Sequence, residues 1–393
     1  MHCPVCAAPS GAPIYRHEGS PSITSTARVV AAPTAVYVCA ACAHLHTPLV
    51  DDIGAYYDVA YNVHLESDEA DDLYDVRAGV PVYRARHQAN VVLEKLALAH
   101  GASVLDYGCG KSMTLQALRA LRPDLDCCVF DVSDAYRAAW DTFVPRANQA
   151  SFVPPAAWEG RFDAVLSFFA LEHAADPVAF LRSVRGLLRP GGALHLTIPN
   201  VRRNTGDFIV VDHVNHFMPS SLRRAFRAAG FTAVRIDEDA HAAAYVVDAV
   251  RAQTPLPLEA DDAGVAGFVA DARGYAAFWS QAGAALAAFE RDVARGRRSA
   301  VYGSAFYGVF IASRLADPGA LACFLDRNPH QHAKRVLGKP VLAPEAVGDD
   351  VEVVYAGLNP ARARDIIAGV APLHRRERQY FYLAPREIAA ATP

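Results

Sequence analysis

Short apolar runs alternate with longer stretches that are apolar on one face only, from about residue 84 to residue 237. An apolar run closed by an acid or a glycine reads as a buried strand, and the one-sided stretches read as helices covering a sheet. The pattern therefore predicts a parallel sheet with crossover helices. Strands are expected at Ser103–Asp106, Cys127–Asp131, about Phe162–Phe168 and about Ala193–Ile198. A helix is expected from about Arg84 to His100, and a short one from Pro219 to Gly230 leading into the strand-like FTAVRID. Pro190, Gly191 and Gly192 are read as the stop of the helix before the Ala193 strand. The expected fold class is α/β, with a Rossmann-like sheet of about seven strands.

Residues 258–297 are alanine-rich at helical spacing and read as a long connector. Beyond them, SAVYGSAFYGVFIASRL and CFLDRNP repeat the order of strand, glycine turn, helix, strand and terminal acid on a smaller scale. Gly303 and Gly308 bracket that turn and Asp326 ends its second strand, with GKPVLAPE and VVYAGLNP supplying the next turn and strand. Two readings stand: a degenerate nucleotide-binding module, or a domain that keeps only the shape, because Phe306 and Tyr307 crowd a loop where a phosphate would want glycine. The chain divides on this pattern into residues 1–65, 66–250, 251–297 and 298–393.

Composition narrows the classes. With 393 residues, 52% of them apolar, the chain can bury ample core, and a net charge of −4 leaves no basic footprint for nucleic acid. No uncharged run reaches spanning length and the N-terminus lacks the pattern of a secretory leader, so a soluble cytoplasmic protein is expected. No heptad or exposed apolar stripe demands an oligomer.

Four of the eight cysteines form two C-x-x-C pairs, Cys3 with Cys6 and Cys39 with Cys42. Two such knuckles can place four thiolates around one Zn²⁺, leaving no open position for water or substrate, so residues 1–65 are read as a ribbon with a structural zinc. A redox dithiol lacks the strand and helix context it would need here. Tyr56, Tyr57, Tyr61 and Tyr74 follow in acidic sequence, open to two readings: the mouth of a substrate site, or packing between ribbon and central domain.

The run VLDYGCGKS, Val104 to Ser112, carries the candidate chemistry. A strand ending in an acid and then a turn with Gly108 and Gly110 brings backbone close to a ligand at the carboxyl edge of a sheet, and Asp131 at the end of the next strand suits a ribose hydroxyl pair. The third glycine of the GxGxxG fingerprint is replaced by Met113, which argues against NAD. Asp-x-Gly-x-Gly after the first strand, an acid after the second, FDAVLSFFALEH and LLRPGG before LHLTIP together resemble the class I S-adenosylmethionine-dependent methyltransferases over about residues 80–240. The resemblance implies S-adenosylmethionine as cofactor. Asp106, Tyr107, Gly108 and Gly110 would form the loop around its methionine part, Asp131 would hold the ribose, and Val132, Phe169 and Glu172 would complete the site.

Methyl transfer to a protonated nucleophile needs a base. Asp212, His213 and His216 in VVDHVNHF are the candidates, with capping of the following helix as their other reading. His173 beside Glu172 is placed to reach the methyl, Asn200 and Asn204 are candidate polar contacts, and Asp163 and His195 are read as structural.

The order of four-cysteine ribbon, methyltransferase sheet and smaller C-terminal Rossmann-like domain resembles a narrower group, the three-domain C-methyltransferases acting on nucleotide-linked keto sugars. That resemblance implies proton abstraction next to a ketone and attack of the enolate on the methyl. His213 and Asp212 would take the places of the group's adjacent histidine and acid, and His173 that of its strand-four histidine. Val210 stands where the group has a tyrosine. An O-methyltransferase acting on a small-molecule hydroxyl, and a noncatalytic binding scaffold, are the alternatives.

Overall fold

The computed structural model describes residues 1–17, 21–49, 71, 73–77, 80–253 and 264–383; Tyr56, Tyr57 and Tyr61 lie outside them. The chain forms two compact units. The first is built from Met1–Ser10, Cys39–Arg203 and Val214–Ala266, the second from Gly11–Val38, Asn204–His213 and Gly267–Pro393. Among the described residues, no helix is long and apolar enough to cross a membrane.

The first unit holds a seven-stranded sheet: β1 Ser103–Tyr107, β2 Asp126–Asp131, β3 Gln149–Ser151, β4 Phe162–Phe168, β5 Leu188–Pro199, β6 Phe231–Asp237 and β7 Ala244–Arg251. They lie in the order β3-β2-β1-β4-β5-β7-β6, with β7 antiparallel to both its neighbours and the remaining pairs parallel. β1 sits where the strand order reverses, the switch point at which open α/β sheets bind ligands. Side chains alternate across the sheet. Val104, Val129 and Leu166 join a core with Ala89 and Val92 of α1 (Arg84–Lys95) and Leu115 and Leu118 of α2 (Met113–Leu121). Leu105, Val165 and Leu194 face the other way, onto Leu181 and Val184 of α3 (Pro177–Leu187) and Leu222 and Phe226 of α4 (Pro219–Ala228). Both faces are covered, which is why these strands read as near-continuous apolar runs.

The expected α/β class and Rossmann-like sheet are present, with local differences. Helix α1 ends at Lys95 and not near His100, because Leu96 is extended. Helix α3, capped by Asp176, which accepts from the Ala179 amide, ends at Leu187. The LRPGG segment is already strand: pairing passes from Phe162–Leu188 to Ala164–Ala193, so Arg189–Gly192 forms a bulge. Gly192 fits there because a Cβ would stand 3.0 Å from the carbonyl oxygens of Arg189 and Phe162.

The second unit contains β8 Ser299–Tyr302, β9 Leu321–Leu325, β10 Arg335–Val336, β11 Lys339–Leu342, β12 Val353–Ala356 and β13 Gln379–Tyr382, in the order β10-β11-β9-β8-β12-β13. Helices α5 (Val265–Phe289), α6 (Phe306–Ala312) and α7 (Ala363–Ala368) accompany them, α5 continuing as a π-helical turn through Ala294. Two antiparallel pairs from the N-terminal region belong to this unit, Tyr15–His17 with Thr34–Val38 and Ser22–Ile23 with Val29–Val30. The stretch TARVVAAPTAVYVC thus yields two strands, broken near Pro33, which has no amide hydrogen to donate.

Candidate active site

At the carboxyl edge of β1 the loop turns through Gly108, Gly110 and Ser112, all three in the left-handed region. A Cβ on Gly108 would lie 2.8 Å from that of Ala170, so only glycine passes there. The Gly108 and Cys109 amides both donate to Phe130 O, and the Gly110 amide donates to Asp131 Oδ2 at 2.8 Å. Asp131 Oδ1 accepts from the Ser133 amide, and buried Trp140 donates to Gly110 O. Asp131 therefore shapes the loop as well as standing at its rim. Burial raises its carboxyl, opposed by these amides.

Asp106 is buried beneath the turn, where its Oδ2 accepts from Ser112 Oγ at 2.6 Å. Oδ1 is buried with no hydrogen-bond partner among the described residues. Burial pushes the carboxyl up to about 7, the Ser112 bond opposing and Asp131 adding to the rise. A buried orphan acceptor of this kind is costly unless a ligand donor meets it. The Cys109 thiol is driven well above its ordinary range by burial, and by Asp106 and Asp131, so it stays protonated. Tyr107 turns its ring into the core against Phe130 and Phe180, and its carbonyl accepts from Ser167 Oγ, which leaves little of it for a ligand. Val132 is 71% exposed beside Asp131.

After β4 the chain passes through Phe169, a non-glycine residue at φ +54°, strain of the kind kept at ligand sites. The Arg84 guanidinium lies 5.6 Å over its ring, and His241 meets the ring edge-on. Next comes the turn Leu171–His173, with Glu172 buried and His173 half-buried. Asn215 holds this turn. Its amide nitrogen donates to the carbonyls of Leu171, Glu172 and Ala174, and its oxygen accepts from His44 Nε2 at 3.1 Å. His216, a candidate base in the sequence, lies in the short strand Asn215–His216 paired with Leu45–His46, and its Nε2 bonds Thr47 Oγ1. Asp163 and His195 are structural as expected: Asp163 accepts from Ser103 and pairs with Arg189, and His195 Nδ1 bonds Asp248 in the core.

Cys3, Cys6, Cys39 and Cys42 converge, their sulfurs all within 4.8 Å of one another. Cys3 and Cys42 are 3.7 Å apart and Cys6 and Cys39 3.4 Å. Tetrahedral Zn²⁺ with bonds of about 2.3 Å wants sulfurs about 3.8 Å apart, so the four fit the ion. The second knuckle is tied into the first unit by Ser220 Oγ, which donates to Cys42 O, as well as by His44.

In the second unit, His213 Nδ1 bonds Asp207 Oδ1 at 2.5 Å, both residues buried. Asp212, adjacent in sequence, is engaged elsewhere: its two oxygens accept from the Ser25 amide and Ser25 Oγ, each at 2.7 Å. The acid bonded to His213 is Asp207, six residues upstream on the turn Thr205–Ile209. Asp212 lies in a turn and His213 just after it, so adjacency in sequence does not bring the two side chains together. Asn204, expected to offer a polar contact, accepts from the Tyr307 hydroxyl at 2.7 Å, and Asn200 Oδ1 caps its own turn at the Arg202 amide.

A family model described as a methyltransferase domain matches residues 83–236. The matched segment holds the strands β1 to β5 and most of β6. Residues 83–236 thus match a methyltransferase domain. The domain is 35% identical over 105 residues to a ubiquinone biosynthesis O-methyltransferase of Xanthomonas campestris, an alignment covering 25% of this chain and 44% of that one. The protein of the same name from Vibrio parahaemolyticus is 30% identical over 125 residues, covering 30% of this chain and 52% of that one. The chain thus spans about half the length of the curated relatives it matches. Among solved structures, an S-adenosylmethionine dependent methyltransferase from Mesorhizobium loti is similar at 15% identity and a TM-score of 0.35, covering 42% of this chain and 98% of that one. The methyltransferase domain contains the glycine loop, Asp131 and the Glu172–His173 turn, and the sequence of the Asp207–His213 segment also falls inside the match.

Proposed function

We propose that the protein is an S-adenosylmethionine-dependent methyltransferase acting on a nucleotide-linked keto sugar, methylating carbon through an enolate with His213 as base. The observation that carries the methyltransferase reading is the glycine turn at the switch point, with the orphaned Asp106 Oδ1 beneath it and Asp131 at its rim. In this reading Asp106 receives the cofactor's amino group, Asp131 its ribose hydroxyls, and Phe169 and Glu172 border it. Bound there, S-adenosylmethionine supplies an electrophilic methyl on a sulfonium. His213 takes a proton from the carbon beside the ketone, and the electron pair so released forms the new carbon–carbon bond as the carbon–sulfur bond breaks. His173 is proposed to position the acceptor, and Asp212, clamped to Ser25, to hold the segment carrying His213. The four cysteines hold a structural Zn²⁺.

The sugar part of the reading rests on architecture: a four-cysteine cluster, a methyltransferase sheet and a second α/β sheet in one chain. The names of the relatives favour a second reading, O-methylation of a small-molecule hydroxyl. The same base would serve it, without a ketone. We propose no nucleic-acid or membrane partner and no requirement for an oligomer.

One experiment separates these readings. The full chain is incubated with methyl-labelled S-adenosylmethionine and a panel of nucleoside-diphosphate keto sugars and their reduced counterparts, and the new methyl is located by NMR. Methyl on carbon next to the ketone supports the first reading; methyl on oxygen supports the second. Failure to bind S-adenosylmethionine at millimolar concentration by calorimetry ends both.

A further inference from the structure

We propose that Asp207 is a positioning residue that fixes the tautomer of His213 so that Nε2 carries the lone pair. The inference rests on the reading of His213 as the base. A carboxylate can only accept, so the 2.5 Å contact from Asp207 Oδ1 places the proton of a neutral imidazole on Nδ1. Nε2 is then the proton acceptor. Asp207 is 2% and His213 7% exposed, so the bond is shielded from competing water.

The turn that carries Asp207 is held from several sides, which a chance contact would not need. The Trp279 indole donates to Thr205 O at 2.8 Å. The Gly206 amide donates to the Tyr307 hydroxyl, which in turn donates to Asn204 Oδ1. Burial pushes the Tyr307 hydroxyl up to about 12, so it keeps the proton it donates. The Trp279 and Tyr307 rings lie nearly parallel, 17° apart, and a Cβ on Gly206 would come within 2.9 Å of the Tyr307 ring. The Asp207 amide and carbonyl are also taken, by Asn204 O and the Val210 amide. A carboxylate set this firmly against an imidazole is preorganised for one proton arrangement. Asp212 instead accepts from the Ser25 amide and hydroxyl.

The test uses the full chain labelled with ¹⁵N-histidine, with His213→Ala as the assignment reference. At a pH where His213 is neutral, the wild type should show the Nδ1–H tautomer; an Nε2–H signal overturns the inference whatever the variants do. Asp207→Asn keeps the size but lets an amide donate to Nδ1, so the proton should move to Nε2. With the acceptor identified by the nucleotide-sugar panel, kcat should then fall about 10²- to 10⁴-fold, with KM and cofactor affinity near wild type. Asp207→Glu should recover part of the loss. An unchanged kcat in Asp207→Asn overturns the proposal, provided His213→Ala is inactive. If His213→Ala keeps its turnover, it is the base assignment itself that fails.

Discussion

Two glycine turns in this chain read almost alike, yet they are built differently. Each follows a strand, opens a helix and faces an acid at the end of the next strand. In the turn after β1, Asp131 holds Gly110 and Ser133, while Asp106 keeps a buried oxygen without a partner. In the turn after β8, Asp326 is occupied by the Ser304 amide, Ser304 Oγ and the Asn328 amide. The glycines there press against one another: a Cβ on Gly308 would lie 2.0 Å from Gly303 O, and one on Gly303 2.3 Å from Gly357 O. In the first turn Gly108 clears the Ala170 side chain, whereas in the second the glycines let strands and helix close backbone to backbone. The same local pattern leaves a buried acceptor oxygen in one sheet and a closed backbone contact in the other.

That contrast can be broken by substitution. Gly308→Ala should have the largest effect, about 3 kcal/mol or more of lost stability, since the clash is with backbone and no rotamer relieves it. Its S-adenosylmethionine affinity, measured by calorimetry on whatever remains folded, should match wild type; a specific loss of cofactor binding would give the second turn a function. Asp131→Ala should act in the opposite sense. Losing charge-assisted bonds to loop and ribose should raise Kd about 30- to 100-fold, some 2–3 kcal/mol, with a smaller fall in thermal stability.

Asp326→Ala should cost about 1–2 kcal/mol in denaturant unfolding and leave cofactor affinity untouched. The smallest effect sharpens the role of Asp106. Its carboxyl, at about 7 against an ordinary 3.8, is mostly protonated at pH 6 and mostly ionised at pH 8. A cationic amino group prefers the ionised form, so affinity should strengthen about tenfold across that interval, with proton release detectable in buffers of different ionisation heat. Asp106→Asn should flatten the dependence, and a wild-type profile that is already flat would dismiss the ammonium contact. In the free protein the same raised value works against stability at high pH. The folded state binds this proton more tightly than the unfolded, so the contribution is full below the ordinary carboxylate range and is lost as pH rises toward 7.

What could be read before the structure was what repeats with a short period. Strand β4 was placed at its observed bounds and β1 and β2 to within a residue, because a strand buried on both faces is an apolar run with marked ends. The four cysteines carry their geometry in their spacing. The Asp207–His213 contact had no such signal: it joins a one-turn helix to a residue just past the following turn, and the obvious neighbour, Asp212, bonds Ser25. Asn215 was hidden in the same way, its partners lying 41 to 44 residues before it and 171 residues before it. The self-closure of the second glycine turn depends on Gly357, far along the chain from Gly303. Contacts of that kind are set by tertiary packing and leave no local pattern.

Asn215 gives the cysteine cluster a reach that its own ligands do not suggest. Through His44, two residues beyond Cys42, it connects the second knuckle to three carbonyls of the Glu172–His173 turn. Slack in the knuckle would thus be felt as misalignment of that turn well before the sheet itself melts. If the four cysteines hold Zn²⁺ as proposed, removing it should leave a chain like a lock with a bent pin: intact to calorimetry, still able to hold S-adenosylmethionine, and slow to turn over.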